Sequence, residues 1–386
     1  MSICVVGGGL NGAAAALALA EAGWSVSLVD RKKPSPSPAA LGVEIRNVAL
    51  SPASRDFLEG LHAWQAGAPY TRMHIWEALG TAVLDFDAET LEHEALGWIV
   101  EVGALNERLW ACLEAHQRIT VHLGSVDALT PGAEQVCIDV SGQPVEAQLV
   151  VAADGGGSRV RELTGTGVKR MPTGHSALAT AVRFAEPHGG VAFQRFLSNG
   201  PLALLPSRDA HVCSVVWSQP PEEAERRRDL TEDAFLREVS SASEHVLGTA
   251  LETDVRFVFP LVQQLAERFD AAPRVVLIGD AARVVHPLAG LGVNLGFEDT
   301  TALLKALRPG DDPGAADLRT YSRRRRVRSR AVIELMSALR GSYGNSAPWF
   351  GWARNAGVRA IASSEVLEAQ IMREAMGLGP MATAMR

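Results

Sequence analysis

The chain has 386 residues, of which 47% are hydrophobic and 21% charged, and its formal net charge is −7. This composition predicts a globular protein with a sizeable core, in two domains or one large one. The acidic balance argues against a nucleic-acid partner. No apolar run of roughly 18 or more residues occurs, so no membrane-spanning helix is expected. Only two residues precede the first predicted strand. We therefore expect no targeting peptide and a cytoplasmic location.

Four cysteines lie far apart in apolar surroundings, at Cys4, Cys112, Cys137 and Cys213. This pattern predicts buried free thiols in a reducing compartment. The histidines show no metal-ligand spacing, and no nucleophile elbow occurs. The sequence therefore predicts neither a metal site nor a serine hydrolase.

The first 30 residues follow the pattern of one βαβ unit. A short apolar strand leads to a G-x-G-x-x-G pattern at Gly7, Gly9 and Gly12, then to an alanine-rich helix and a second strand that ends at Asp30. Gly7 permits a tight turn, Gly9 lets a pyrophosphate approach the backbone, and Gly12 lets the helix pack closely. The helix N-terminus favours phosphate, and an acid at Asp30 is placed to bind ribose hydroxyls. The unit predicts dinucleotide binding and leaves FAD and NAD open.

The middle of the chain predicts mainly strands. A helix is expected from Ser51 to about Leu61, because Ser51 suits the N-cap and Pro52 the first helical position. Strands are expected within residues 70–86 and 98–102, a helix at 105–115, and a hairpin between 136–140 and 148–153. Residues 177–259 predict a second, mostly antiparallel sheet, with one helix at 231–239. One face of that sheet can cover a ligand.

Two further strands end in an acid next to glycine, at Asp154-Gly155 and at Gly279-Asp280. Taken alone, the first of these patterns predicts a surface turn rather than a ligand-binding site. Beyond the second, a glycine-rich loop opens a predicted helix at residues 293–307. Such a loop can present backbone N–H groups to an anion or to an electron-rich ring edge.

The last part of the chain predicts helices. One is expected at residues 321–340, where six arginines lie at Arg323, Arg324, Arg325, Arg326, Arg328 and Arg330. Such a basic run predicts a solvated helix face, and contact with a membrane or a protein is the alternative. A second helix is expected at residues 358–376, followed by a mobile end.

The three motifs, in this order, resemble those of the FAD-dependent class A aromatic hydroxylases. The branch that hydroxylates ubiquinone precursors is the most similar, through the segments 46–54, 73–77, 99–101, 204–206, 216–217 and 274–294. The resemblance implies an α/β fold like that of para-hydroxybenzoate hydroxylase. A Rossmann-like FAD-binding domain would comprise residues 1–69, 101–175 and 270–320. An inserted antiparallel β-sheet substrate domain would comprise 70–100 and 176–269, and a helical region 321–386.

The resemblance also implies a cofactor site for FAD. The pyrophosphate would lie at Gly7, Gly9, Leu10, Asn11 and Gly12, and the adenosine ribose at Asp30. Arg46 would lie near the pyrophosphate or the flavin, and Asp154 and Gly155 in the pyrophosphate region that FAD and the nicotinamide share. Gly279 and Asp280 would hold the ribityl chain. The flavin ring would lie along Pro287, Gly290, Leu291, Gly292, Val293 and Asn294.

The implied reaction uses NAD(P)H and O2 as co-substrates. NAD(P)H would reduce FAD, and a C4a-hydroperoxyflavin would then hydroxylate an aromatic ring, most readily a polyprenylated phenol or quinol. No protein nucleophile is required, and no catalytic residue is assigned. His286 and Pro287 would line the reaction site, with shaping of the backbone as their expected role. Arg283 stands where the family usually has histidine, so it would add charge beside the cofactor.

Two alternatives stay open at this point. One is a class A hydroxylase that acts on a small soluble aromatic acid. The other is a non-catalytic FAD-binding scaffold of a biosynthetic complex, in which Arg283 would mark a degenerate site. A lipophilic substrate would require a peripheral contact with the inner face of the membrane or with partner proteins. The basic helix and the methionine-rich C-terminal region are the candidates for that contact.

Overall fold

The computed structural model describes residues 2–35, 39–78, 83–286, 290–308 and 310–343, together with 364, 369–370, 372–374 and 376–379. The helices of these residues are α1 Leu10–Glu21, α2 Pro52–Gly60, α3 Val102–Ala115, α4 Arg159–Leu163, α5 Pro221–Arg228, α6 Glu232–Ala242, α7 Gly279–Ala282, α8 Leu291–Ala306 and α9 Leu318–Tyr343. The strands are β1 Ser2–Val6, β2 Ser25–Asp30, β3 Asn47–Leu50, β4 Ala68–Tyr70, β5 Arg72–Glu77, β6 Val83–Asp87, β7 Gly97–Glu101, β8 Ile119–Leu123, β9 Val126–Pro131, β10 Val136–Val140, β11 Gln143–Ala147, β12 Leu149–Ala152, β13 Val168–Phe184, β14 Val191–Leu197, β15 Gly200–Pro206, β16 Val212–Gln219, β17 Ala250–Thr253, β18 Phe257–Ala266, β19 Val275–Leu277 and β20 Arg283–Val284.

A five-stranded parallel sheet, in the order β19-β12-β1-β2-β8, forms the centre of the first unit. Its strands β12 and β19 are wholly buried, as expected for a parallel sheet covered on both faces. The alanine-rich helix α1 packs against α3 and α8. Because the carboxyl ends of parallel strands lie at one edge, the loops after β1, β2, β12 and β19 meet there.

The largest sheet has nine strands, in the order β20-β18-β13-β16-β15-β14-β5-β6, with β17 beside β13. Its pairs are antiparallel except for β5 with β14. Side chains alternate between the two faces of each strand. Leu202, Leu204, Val215 and Trp217 lie on one face, in a core that also contains three residues of α6, Phe235, Leu236 and Val239. The opposite face borders a cavity.

Two smaller three-stranded sheets, β3-β7-β4 and β11-β10-β9, complete the strand pattern. The predicted hairpin between residues 136–140 and 148–153 is wrong. Strand β10 pairs with β9 and β11, whereas β12 joins the parallel sheet between β1 and β19. The intervening strand β11 buries only Val145 and Ala147 and contains Pro144, so its sequence carries little strand signal.

The helix predicted at residues 231–239 is confirmed as α6, and a second helix, α5, precedes it without having been predicted. Helix α5 has one buried residue, Ala224, and therefore lacks the apolar periodicity by which a helix is recognised. It has Glu222 and Glu223 in its first turn and three arginines in its last turn. This arrangement favours a helix through its macrodipole.

The basic run of α9 is only partly a solvated face, so that prediction is wrong for two of its six arginines. Arg325 and Arg328 are buried and form ion pairs with Glu298, while the other four are exposed. Residues 369–370 and 372–374 are helical, in agreement with a second C-terminal helix, and most of residues 358–386 lies outside the described part of the chain.

The cysteine prediction is right for Cys4 and Cys213, which are buried free thiols. Cys112 is half-buried, and Cys137 is exposed because it lies on the solvent face of β10, between the buried Val136 and Ile138. Of the helices in the described residues, none has the length and the hydropathy needed to span a bilayer.

Candidate functional site

Three of the predicted motifs meet at the carboxyl edge of the parallel sheet. Ala153 donates its N–H to Val6 O at 2.7 Å, and Ile278 donates to Ala152 O at 2.9 Å. These bonds align the ends of β1, β12 and β19. The loops that follow begin at Gly7, Asp154 and Gly279, so motifs far apart in the sequence form one continuous surface.

The glycines of the first loop have different surroundings. Gly7 has φ +102°, and a Cβ there would lie 2.5 Å from Ala153 O. A Cβ on Gly12 would lie 1.8 Å from Gly7 O. At Gly9, by contrast, a Cβ would meet no atom within 4 Å. The first and third glycines are thus required by packing, while the second leaves open space in front of the N-terminus of α1.

Asp30 holds this loop from the end of β2. Its Oδ2 accepts the Gly8 N–H at 2.5 Å, and its Oδ1 accepts the Lys32 N–H at 3.2 Å. Trp110 of α3 donates its Nε1–H to Gly8 O at 2.8 Å, and a Cβ on Gly8 would lie 2.6 Å from the Trp110 ring. Gly8 and Trp110 are not among the predicted site residues, yet they fix the loop as strictly as the G-x-G-x-x-G glycines do.

The second loop uses the Asp154 carboxylate to start helix α4. Asp154 Oδ1 accepts the Ser158 hydroxyl at 2.6 Å, and Oδ2 accepts the Val160 N–H at 3.1 Å. Gly155 has φ +84°, with no atom within 4 Å of a Cβ position. The carboxylate therefore shapes the loop, and the backbone around Gly155 faces open space.

Arg161 joins the second loop to the third. Its Nη2 donates to Gly156 O at 2.7 Å, and its Nη1 donates to Ala281 O at 2.7 Å. Burial lowers the pKa of Arg161, and the nearby Asp154 opposes that shift. No local pattern indicates this role, because Arg161 is one of several basic residues that follow the glycines.

The third loop is held by a buried acid of α8. Asp299 Oδ2 accepts the N–H of Gly279, which has φ +56°, at 2.9 Å. Arg283 pairs with the same carboxylate and donates to Gly279 O at 3.2 Å. Arg283 is therefore buried in an ion pair with Asp299, a carboxylate that it shares with Arg325, and this pairing offsets the charge expected beside the cofactor.

Asp280 follows Gly279 and borders the cleft. Its side chain is exposed to the cleft, yet the surrounding protein displaces much of its water. This desolvation raises the pKa of Asp280 above its ordinary value, and Arg283 partly opposes the shift. Ionisation of this carboxylate is therefore less favourable in the folded protein than in water, and perturbed pKa values of this kind are common at functional sites.

Helix α8 begins at this cleft with Gly290 as its N-cap, at φ +60° and without a side-chain cap. The Asn294 side chain is fully used by the protein: Nδ2 donates to Ala49 O at 2.8 Å and to Gly290 O at 2.9 Å, and Oδ1 accepts from Ser51 N and Ser54 Oγ at 3.0 and 2.6 Å. Only backbone N–H groups near Leu291, Gly292 and Val293 are left for a ligand.

The remaining predicted site residues have varied positions. Leu10 is buried, and the Asn11 side chain lies against Gly279 and Gly296, where a Cβ would be 2.8 and 2.2 Å from it. Arg46 is exposed and immediately precedes β3. His286 is buried. Pro287 lies outside the described residues.

A cavity of about 350 Å³ lies between the large sheet on one side and, on the other, the turn at Asp280 and the start of α8. Its sheet side is formed by alternate residues such as Met73, Ala192, Ala203 and Val216. Tyr70, Gln194 and Ser218 are among its few polar residues. Burial raises the pKa of Tyr70 to about 12, so its phenol is neutral at physiological pH. Sequence patterns do not identify most of these residues, because facing a cavity and facing a core produce the same alternation.

These features fit FAD. Open space lies in front of Gly9 and Gly155, where a pyrophosphate can approach the backbone. The first turns of α1 and α8 contain no acidic residue and no side-chain cap, so their N–H groups can bind phosphate and the pyrimidine edge of a flavin. Asn11 Oδ1 is buried and accepts no hydrogen bond from the described residues.

Comparison with known proteins also indicates an FAD-binding protein. A family model described as FAD binding domain matches residues 113–336, and one described as FAD dependent oxidoreductase matches residues 2–66. The 3-demethoxyubiquinol 3-hydroxylase of Escherichia coli is 33% identical over 97% of this chain and 98% of its own. The chain belongs to the FAD-dependent aromatic hydroxylases, in the group that contains the ubiquinone-biosynthesis hydroxylases. The ubiquinone hydroxylase UbiL of Rhodospirillum rubrum, another member, is 31% identical over 98% of this chain and 90% of its own.

Solved structures confirm the predicted fold class of this hydroxylase. The p-nitrophenol 4-monooxygenase PnpA of Pseudomonas putida superposes with a TM-score of 0.78, at 20% identity over 98% of both chains. A variant of HpxO of Klebsiella pneumoniae, solved with FAD, has a TM-score of 0.76, at 20% identity over 99% of this chain and 100% of its own. The hydroxylase is an FAD-dependent monooxygenase with NAD(P)H and O2 as co-substrates, and the alternative of a non-catalytic scaffold is set aside.

Proposed function

We propose that this hydroxylase acts on a prenylated phenol or quinol, a lipophilic precursor of ubiquinone. The observation that carries the proposal is the charge of the cavity. Among the described residues that line it, Asp280 is the single charged side chain, and none is lysine or arginine. A small aromatic acid would bring a carboxylate that requires a cationic partner. A neutral phenol on an apolar chain requires none.

We assign the cofactor-binding roles as follows. The backbone from Gly7 to Gly12 and around Gly155 would hold the FAD pyrophosphate, Asp30 the adenosine ribose, Asp280 the ribityl chain, and the start of α8 the flavin ring. When bound, FAD supplies the redox chemistry that activates O2. Within this proposal, residues 1–69, 101–175 and 270–320 form the FAD-binding domain, residues 70–100 and 176–269 the substrate domain, and residues 321–386 a helical region.

The chain's own contribution is to position the ring and to exclude water. The apolar wall formed by Met73, Ala192 and Val216 surrounds the ring and restricts water, which limits loss of oxidising equivalents as peroxide. The neutral Tyr70 hydroxyl and the Gln194 amide can hydrogen-bond the substrate hydroxyl. Such fixed contacts orient the ring towards the start of α8.

The test measures NADH and NADPH oxidation by the FAD-loaded protein, with product and hydrogen peroxide quantified together. A short-chain prenylphenol is compared with 4-hydroxybenzoate. We expect coupled product formation with the prenylphenol, and mainly peroxide or no stimulation with the acid. Preferential hydroxylation of the acid would contradict the proposal.

A matched pair of variants locates the substrate. Ala203 lines the cavity, and Ala203→Phe fills part of it. We expect at least about a tenfold loss in the ratio of product to NAD(P)H consumed, with the flavin absorbance retained. Ala128→Phe makes the same change at an exposed position of β9 and should have no effect. Equal coupling in the two variants would place the substrate elsewhere.

The proposed location is the cytoplasm, with a peripheral contact at the inner face of the membrane, where a prenylated substrate resides. Retention of the protein on membranes, and its release by mild detergent, test this assignment. Full recovery in the supernatant at low and at high ionic strength would count against it.

A further inference from the structure

Two neighbouring strands of the large sheet contain a stretch without charge. Neither residues 171–182 of β13 nor any residue of β18 is Asp, Glu, Lys or Arg, although 21% of the chain is charged. The two stretches pair with each other, through Ala177 with Phe259 and Ala179 with Phe257. They therefore form one uncharged region of the sheet, which is mostly buried on β13 and partly exposed on β18.

This region exposes large apolar side chains. Val255, Phe257 and Phe259 are 61%, 54% and 43% exposed. Strand β18 pairs with β20 only at Gln264 and Leu265, so within the described residues its first half lies at the edge of the sheet. Exposed apolar clusters of this kind mark surfaces that meet an apolar partner. We call Val255, Phe257 and Phe259 the apolar edge.

The apolar edge continues the wall of the cavity. Paired residues of antiparallel strands lie on the same face of a sheet. One such row runs from Ala203 and Val216, which line the cavity, through Ala179 to Phe257. A second row runs from Ser218, also in the cavity wall, through Ala177 to Phe259.

Only one strand separates the cavity wall from the apolar edge, a distance of roughly 10 Å at two strand spacings. On that strand the two positions are the alanines Ala177 and Ala179, both buried. Small, uncharged side chains thus connect the interior cavity to the exposed phenylalanines along a single face of the sheet.

We propose that the apolar edge is the surface by which this hydroxylase docks on a phospholipid bilayer. The inference rests on the proposed function, because a prenylated substrate dissolves in the bilayer rather than in water. Aromatic side chains insert favourably at the boundary between headgroups and acyl chains. Docking at this edge brings the lipid phase to the same sheet face that lines the cavity, so the substrate has a short apolar route to the flavin.

The absence of charge favours a bilayer over other partners. Nucleic acids and acidic peptides are recognised by basic side chains, which neither of these two strand stretches contains. The exposed arginines of α9 lie on a different element, and one of them, Arg330, forms an ion pair with Glu334 of the same helix. The contact is therefore expected to depend little on salt, unlike one made by a basic helix.

The test is flotation of the FAD-loaded full chain with phosphatidylcholine vesicles. Phe257→Thr with Phe259→Thr keeps β-propensity while it removes the aromatic area. We expect the partition coefficient of this double variant to fall at least about tenfold. Leu123→Thr is the control, because Leu123 is 54% exposed on β8, an edge strand of the other sheet. It should float like the unaltered protein. Val255→Thr, outside β18, replaces the double variant if that variant loses its flavin.

Three results would overturn the proposal: no flotation of the unaltered protein, equal flotation of the double variant, or a dimer that the double variant converts to monomer. The last result would make the edge an interface between two copies. Failure of the proposed function is seen separately. If the protein floats but hydroxylates no prenylphenol, the docking proposal stands and the proposed function fails. If it hydroxylates a short-chain prenylphenol but does not float, the proposed function stands and the docking proposal fails.

Discussion

Arg325 of α9 donates a hydrogen bond from Nε to Asp299 Oδ1 of α8 at 2.7 Å, and neither side chain is exposed to solvent. Burial by itself lowers the pKa of Arg325, but the attraction of Asp299 and Glu298 outweighs it, and the pKa lies above its ordinary value. Because Asp299 also accepts the Gly279 N–H, α9 supports the cofactor loop through a single carboxylate.

Removal of this arginine should therefore destabilise the protein and loosen the cofactor site. We expect Arg325→Met to lower the free energy of unfolding by about 3–5 kcal/mol, because the buried Asp299 and Glu298 lose the arginine that joins them and each keeps a single arginine partner. Urea unfolding of the cofactor-free protein measures this. Arg330→Met, at an exposed ion pair of the same helix, should leave the unfolding midpoint unchanged, because water solvates both of its charged groups. Equal midpoints for the two variants would refute the assignment.

Two glycines of the first loop should respond differently to alanine. Gly9→Ala places its methyl group in open space at φ −69°, so the cofactor-free fold should be unchanged within about 0.5 kcal/mol. FAD affinity should fall at least about tenfold, because the methyl group occupies the space of the pyrophosphate. Gly12→Ala should instead lower the unfolding free energy by about 1–3 kcal/mol through overpacking. Flavin fluorescence and thermal unfolding separate the two effects, and tight FAD binding by Gly9→Ala would count against the site.

The Asp280 carboxylate should lower the stability of the cofactor-free protein and strengthen FAD binding. Its pKa is raised in the folded state, so between the unfolded-state value of about 3.9 and the raised value the folded protein binds more protons. Stability therefore falls as the pH rises through that window. Asp280→Asn should leave cofactor-free stability at pH 7 equal or higher, with no gain at pH values near the unfolded-state pKa, while FAD affinity falls. Asp127→Asn, at an exposed site on β9, should change neither. A large loss of stability in Asp280→Asn would reverse this interpretation.

The four thiols should differ in reactivity. Burial raises the pKa of Cys4 to about 12 and raises that of Cys213 as well, so their thiolate fractions at pH 8 are very small. Cys137 is exposed and should react first with a thiol reagent such as Ellman's reagent. We expect one fast thiol in the folded protein, absent in Cys137→Ser, and four after denaturation. A fast thiol that persists in Cys137→Ser would contradict the described burial.

Local signals are sufficient for much of the cofactor site. The βαβ unit and the Ser51 cap are predictable because each depends on residues close in sequence, and Ser51 does accept the Ser54 N–H. The burial of Arg325 is not predictable in this way, since its partners lie 26 and 27 positions earlier in the chain. The predicted partner of strand β12 is wrong for a related reason: an apolar strand pattern specifies burial but not the neighbour. Helix α5 is not predicted because its stability derives from charge rather than from an apolar stripe.

The alternation of the large sheet has a consequence for how this enzyme can change. Along β15 and β16, Ala203, Val216 and Ser218 border the cavity, whereas Leu204, Val215 and Trp217 belong to the core against α6. Neighbouring positions of one strand thus serve different purposes. Mutations at every second residue can reshape the pocket while the packing that holds the sheet together stays intact. New substrate ranges are therefore accessible to drift or to directed evolution without a matching loss of foldability.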